Sequence, residues 1–311
     1  MTGVDVVTLG EGMMALRCQG LIHLGAPMHT SIAGAESNVA IGLSRLGHTT
    51  RWLGRVGHDE SGRLVRRVLS AEQVEVDGVV DDSTAATGLV IFEQRLPDVT
   101  RVEYHRANSA GSRLQPDDVI PVLLEGRPRL LHVTGVTAAL SETALETVRM
   151  AIDAARGAGV TVSLDVNYRR ALWDAHAAGA VLRPLAEQAD IVIASEDELS
   201  LIGSPQGLLE LGPREVIVKL GPEGALAYSK DQQEPITSSA SRVHVVDSVG
   251  AGDAFCAGYL SGWLDGIDLV ERLRRANTVA AFAVATRGDW EGLPVRSELM
   301  LVDAPAGFAL R

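Results

Sequence analysis

The chain opens with VDVVTLG (4–10), a β-branched run closed by a glycine, which predicts a strand. SNVAIGLSRLG (37–47) places Val39, Leu43 and Leu46 at helical spacing and stops at Gly47, a helix with a glycine end signal. TTRWLGRVG (49–57) reads as a strand and a turn, and GRLVRRVLSAEQV (62–74) as an amphipathic helix. Between 79 and 107 the pattern changes. TGLVIFEQ and TRVEYHRA alternate apolar with polar positions around Pro97 and Asp98, which predicts a hairpin with one solvated face. From 128 onward strand and helix alternate. PRLLHVTG, VTVSLDVN, DIVIAS, REVIVKLG and GALAYSK read as strands. The helices are SETALETVRMAIDAARGAG with Ser141 as N-cap, AAGAVLRPLAEQA interrupted by Pro184, EDELSLIG, GAGDAFCAGYLSGWLDG and ERLRRANTVAAFAVAT. This rhythm predicts right-handed βαβ crossovers and a mainly parallel sheet covered on both faces, with a ligand crevice at the carboxyl ends of its strands. No repeat or linker divides the chain, so residues 1–311 are expected to form one α/β domain. A small β layer is expected from about 12–32 and 86–107.

Composition narrows the partners. The chain has 28 basic and 40 acidic residues, a net charge of −12, and no basic cluster of the length duplex binding demands. No apolar run approaches the ~18–20 residues of a membrane span. The first residues carry an acid and lack a basic start before the apolar run, unlike a secretory signal. Cys18 and Cys256 are far apart, which argues against a disulfide scaffold or a thiolate metal cluster. The expectation is a soluble, cytoplasmic protein that binds neither nucleic acid nor membrane. Only two of the 28 basic residues are lysines, Lys219 and Lys230, so a lysine inside a strand-like run stands out.

Five segments are candidates for chemistry. Gly10-Glu11-Gly12-Met13-Met14-Ala15 matches a dinucleotide fingerprint, but the following segment holds Gly20, Gly25, Pro27 and Gly34 and lacks the required helix. The strongest candidate is DSVGAGDAFCAG (247–258). Its small residues let the N–H groups of Gly250, Ala251 and Gly252 converge on an anion at the positive end of a helix. Asp253 sits in the first turn, where a carboxylate is stabilised as the anion and can take a proton from a hydroxyl. An anion pocket beside a base is what phosphoryl transfer to an alcohol requires. In AGAESN (33–38), Gly34 permits close approach and Asn38 offers a donor and an acceptor to vicinal hydroxyls, although an Asn near a helix start is also an ordinary cap. LDVNYR (164–169) lies at the carboxyl end of a predicted strand. VKLGPEG (218–224) is a strand, a glycine turn and a second strand, with Lys219 ending the first.

Together these segments resemble the ribokinase-like carbohydrate kinases over about residues 4–295. AGAESNVAIGLSRLG (33–47) with GRVGHDESG (54–62) is similar to the family's N-terminal signature, and DSVGAGDAFCAGYL (247–260) to its C-terminal one. The resemblance implies a three-layer α/β/α sandwich with a mainly parallel central sheet and a small β-sheet lid. It implies Asp253 as catalytic base and the backbone of Gly250, Ala251 and Gly252 as anion hole. It places Gly34, Ala35 and Asn38 at the sugar. Lys219, Gly221 and Gly224 resemble the adenine-nucleotide loop, and Asn277 falls where the family packs a helix against adenine. Glu198 resembles the glutamate of the family's N-x-x-E motif, which orders magnesium through water. Ser195 holds the asparagine position of that motif. ATP and Mg2+ are the implied cofactors, a monovalent cation such as K+ is left open, and the lid is the implied homodimer clasp.

Three segments are similar to 2-keto-3-deoxygluconate kinases: DVNYRRALW (165–173), YHRANSAGSRL (104–114) and GDWEGLP (288–294). They implicate Asn167, Arg169, Tyr104, Arg106 and Asp289 at the substrate, with Asn167 also toward the nucleotide. Two arginines suit the carboxylate of a sugar acid, which their forked donors can clamp. The first lid strand offers only Leu89 and Val90 where some of these kinases carry a tyrosine. A fructokinase or other hexose kinase, and a non-catalytic sugar or nucleotide binder, are the alternatives.

Overall fold

The computed structural model describes residues 3–23, 25–96 and 99–304. Pro97 and Asp98, the expected hairpin turn, lie outside the described residues. In chain order the strands are β1 (Val6–Leu9), β2 (Met13–Cys18), β3 (Met28–Ala33), β4 (Thr50–Leu53), β5 (Arg55–Gly57), β6 (Val80–Asp82), β7 (Leu89–Leu96), β8 (Val99–His105), β9 (Leu130–Thr134), β10 (Thr161–Asp165), β11 (Ile191–Ser195), β12 (Glu215–Lys219), β13 (Ala225–Ser229) and β14 (Ile236–Ser238). The helices are α1 (Ala35–Arg45), α2 (Glu60–Ala71), α3 (Pro116–Leu123), α4 (Gly135–Ala138), α5 (Glu142–Gly157), α6 (Ala175–Gln188), α7 (Glu196–Ile202), α8 (Pro205–Leu211), α9 (Ala251–Leu264) and α10 (Leu269–Val284).

The central sheet has the order β14-β13-β12-β11-β10-β9-β1-β4, parallel throughout except for the antiparallel β13 and β14. Its central strands β1, β9 and β10 are buried on both faces, as a parallel sheet under crossover helices must be. Val7, Leu131, Val162 and Val192 face α5 and α6. Val6, Leu130, Ile191 and Ile217 face α1, α9 and α10. The expected ribokinase-like α/β architecture is the one observed. A second sheet, β3-β2-β7-β8, stands apart with β2 and β7 parallel and its other pairings antiparallel.

Local sequence accounts for the element ends near the site. Ser141 caps α5 by accepting from the Ala144 N–H, and Asp59 caps α2 through Gly62. The expected interruption at Pro184 is not found. The helix runs through Pro184 from Ala175 to Gln188. Its missing N–H would cost an isolated helix about 3 kcal/mol. Here Ala178, Leu182, Leu185 and Ala186 are all buried in the core beneath it, and that packing holds the axis. Buried α9 lies between α1 and α10. A Cβ on Gly258 would sit 2.7 Å from the Ala276 Cα, so glycine sets the spacing of α9 and α10.

Candidate active site

Parallel strands deliver their carboxyl ends to one edge of the sheet, and there Asp165, Ser195 and Lys219 lie on neighbouring strands. A cavity of about 530 Å³ opens over that edge. It gathers Gly34, Ala35, Asn38, Tyr104, Arg106, Asn167, Arg169, Ser195, Lys219, Gly221, Gly250, Gly252, Asp253 and Asp289. The second sheet closes one side through Val90, Phe92 and Val102. A neighbouring cavity of about 740 Å³ has mainly apolar walls, including Pro222, Val245, Phe255, Ala280 and Val284, and takes in Gly224, Ala251 and Asn277. Glu198 lines neither.

The start of α9 is shaped by one glycine. Gly250 has φ 77°, and a Cβ there would lie 2.0 Å from the carbonyl oxygen of Asp289. Only glycine takes this left-handed turn so close to another backbone. Among the described residues, the N–H groups of Gly250 and Gly252 have no protein acceptor. That of Ala251 reaches Ser248 O at a long 3.4 Å.

Asp253 follows directly. Its Oδ2 accepts from Asn38 Nδ2 at 2.8 Å and its Oδ1 from Asn167 Nδ2 at 3.4 Å. Burial raises its pKa from 3.8 to about 6, against the Asn38 bond and the Arg169 and Lys219 charges. The helix start was expected to favour the anion, but desolvation outweighs it. The result is a stronger base that is still mostly ionised above pH 7. Asn167 reaches Asp253 from a left-handed backbone, φ 37°, which is uncommon outside glycine. The Oδ1 atoms of Asn38 and Asn167 are buried without a partner among the described residues. Two orphaned acceptors beside a base call for hydroxyl donors from a ligand.

The two arginines differ. Arg169 is exposed and makes no ion pair among the described residues. Arg106 Nη2 lies 2.5 Å from Glu11 Oε2, over the Tyr104 ring. Of the two arginines expected as a clamp, Arg106 already has its charge balanced by buried Glu11. Its place inside the glycine pair that mimics a dinucleotide fingerprint gives Glu11 no local signal of this role. Asp289 is paired with Arg17 of β2, and burial raises its pKa to about 7. Arg17 also stacks on Phe92 and approaches Asp247 at 3.4 Å, tying the lid to the loop before α9. Nothing in the local pattern around Arg17 signals that role. Glu36 is buried on the cavity floor, where Thr134 and Thr137 donate to its Oε1 at 2.6 and 2.5 Å. Desolvation raises its pKa to about 7.

On the second cavity, Asn277 Nδ2 donates to the carbonyls of Ser238 and Ser239 at 3.1 and 3.2 Å, bracing the end of β14. Ser195 caps α7. Glu198 accepts from the Ser195 N–H at 2.7 Å and from the Tyr168 N–H at 2.7 Å. Both of its oxygens thus serve the backbone, and each keeps one further lone pair. That leaves each oxygen able to accept from a water that carries a metal.

The pattern of the pfkB family carbohydrate kinases matches residues 5–296. The chain is 34% identical over 307 residues to the 2-dehydro-3-deoxygluconokinase of Bacillus subtilis, covering 95% of this chain and 94% of that one. The PfkB protein of Polaromonas sp. JS666 superposes with a TM-score of 0.85 at 36% identity, covering 96% of this chain and 99% of that one. A candidate ribokinase II from E. coli, solved in complex with ATP and Mg2+, gives 0.87 at 27% identity, covering 96% and 98%. Family pattern, fold and relatives agree: the chain belongs to the pfkB family of carbohydrate kinases.

Proposed function

We propose that this kinase transfers the γ-phosphoryl group of ATP to a hydroxyl of a sugar acid, with 2-keto-3-deoxygluconate as the substrate. The observation that carries this reading is the position of Asp253. It stands between the orphaned acceptors of the sugar-side cavity and the open amides of Gly250 and Gly252. Asn38, Asn167 and Gly34 orient the sugar, and Arg169 meets its carboxylate. Asp253 takes the hydroxyl proton as the oxygen bonds to the γ-phosphorus. The bond from that phosphorus to the β–γ bridging oxygen breaks, and ADP leaves with its electron pair. The amides of Gly250, Ala251 and Gly252 bind the charge on the transferring group. Apolar walls around Gly224, Phe255 and Ala280, braced by Asn277, suit a nucleotide base. Magnesium would be held through water by Glu198 and would neutralise charge on the phosphates. The relative named for the same sugar acid supports the substrate.

A neutral hexose is the second reading, favoured by the pairing of Arg106 with Glu11, which balances the charge of one of the two arginines. A panel of 2-keto-3-deoxygluconate, fructose and other hexoses with MgATP, followed by coupled ADP release, decides. The acid sugar should give the highest kcat/KM, and a preference for fructose refutes the substrate assignment. The same assay in K+ and in a quaternary ammonium salt measures any monovalent-cation requirement. Exposed Leu21, Ile22 and Val99 on and beside the lid support self-association there, which sedimentation measures. Among the described residues no helix is long and apolar enough to cross a membrane, in keeping with a cytoplasmic enzyme.

A further inference from the structure

The two cavities share four lining residues, Lys219, Gly221, Ser248 and Gly252. A group passed from one cavity to the other crosses between them. Three of the four offer backbone or a short hydroxyl, and Lys219 alone brings a charge. Its Nζ would lie 3.5 Å from a Cβ on Gly252, beside the open amides at the start of α9. The ammonium is held from behind. Lys219 Nζ donates to Asp165 Oδ1 at 2.8 Å, and the Asp165 side chain is only 2% exposed. Asp165 Oδ2 accepts from Asn167 Nδ2 at 3.3 Å and from Cys256 Sγ at 3.4 Å. One carboxylate therefore ties β10, β12 and the first turns of α9 together. Burial alone would lower the pKa of Lys219, but the Asp165 charge more than offsets it and keeps the amine cationic.

We propose that Lys219 is a catalytic residue whose ammonium meets the γ-phosphoryl group as it crosses between the cavities, and that Asp165 is the positioning residue that aims it. This gives one residue of the expected adenine-nucleotide loop a place at the γ-phosphoryl group, and it rests on the kinase reading above. As the hydroxyl oxygen bonds to phosphorus and the bond to the bridging oxygen breaks, negative charge spreads over the transferring oxygens. A fixed cation there stabilises that charge more than it stabilises bound ATP.

The test uses the full chain with Lys219→Met, Lys219→Arg and Asp165→Asn beside the wild type. Lys219→Met should lower kcat about 10²–10³-fold, the cost typical of losing one such donor. The sugar KM should stay within about threefold, and Lys219→Arg should recover part of kcat. By calorimetry, Lys219→Met should weaken a non-hydrolysable ATP analogue while leaving AMP affinity unchanged.

The acid limb of kcat/KM gives a readout that a structural role would not move. Asp253 is faced by Glu36 and Asn38 from α1, by Asp165, Asn167 and Arg169 from β10 and the loop after it, by Lys219 from β12, by Cys256 on α9, and by Asp289. Removing the Lys219 cation should move the limb to higher pH, and removing the Asp165 anion to lower pH. Near-normal kcat in Lys219→Met, an equal loss of AMP and ATP-analogue affinity, or limb shifts of the same sign would overturn the proposal. A Lys219→Met chain that fails to melt cooperatively moves the decision to Lys219→Arg. In that variant a loss of AMP affinity equal to its loss of ATP-analogue affinity overturns it. A wild type inactive on every sugar instead refutes the kinase reading.

Discussion

Replacing Gly250 by alanine isolates the geometry of the anion pocket. The new Cβ would sit 2.0 Å from Asp289 O, where real Cβ contacts essentially never fall below 3.0 Å. Either the α9 start or the strand of backbone at Asp289 must move by about 1 Å, and misplacements of that size cost ~10²-fold in rate. The left-handed backbone adds about 1–2 kcal/mol of strain. Gly266 provides the control. Its φ is 70°, close to the 77° of Gly250, but a Cβ there meets nothing within 4 Å. Gly266→Ala carries the strain without the collision. Coupled ADP release and thermal melting on both variants separate the two effects. Gly250→Ala should lose about 10²-fold or more in kcat, while Gly266→Ala should lose only stability. Equal kcat in the two variants would show that the close approach at Asp289 does not shape the pocket.

Arg169→Ala should raise KM for a sugar acid at least about tenfold and change that for a neutral hexose little, as steady-state kinetics on both will read. The kcat/KM profile should fall below about pH 6, because the proton acceptor Asp253 is then protonated. Potentiometric control of pH in the same assay locates that limb. Glu36 carries a pKa raised from 4.5 to about 7, so its folded form binds a proton more readily than its unfolded form. Its contribution to stability is then fully present below pH 4.5 and is lost as pH rises through about 7. Glu36→Gln should stabilise the protein at pH 8 by up to about 3 kcal/mol and scarcely at pH 4.5, read as Tm against pH.

The parts of this site that local sequence reveals are those in which function needs a run of special residues. The segment Asp247 to Gly258 combines small residues with an acid at a helix start, and the structure turns it into open amides with Asp253 behind them. Strand periodicity placed Asp165, Ser195 and Lys219 at strand ends for the same reason that it buries Val162 and Val192. What stayed hidden depends on contacts across long stretches of chain. Glu11 meets Arg106 and Arg17 meets Asp289 only after the lid folds over the large sheet. The raised pKa of Asp253 likewise follows from burial by other elements and not from its neighbours in sequence. Pro184 shows the same hierarchy in the fold, with core packing overriding a local helix breaker.

The most direct measurement is the turnover of Asp253→Asn with the best sugar of the panel, alongside its affinities for that sugar and for MgATP. The amide keeps the size of the side chain and can keep its contacts to Asn38 and Asn167 while losing the capacity to take a proton. The account predicts a fall in kcat of about 10³-fold or more, with both affinities within about threefold of wild type. Turnover near the wild-type rate would contradict it, because a hydroxyl would then be losing its proton without the carboxylate of Asp253 to receive it.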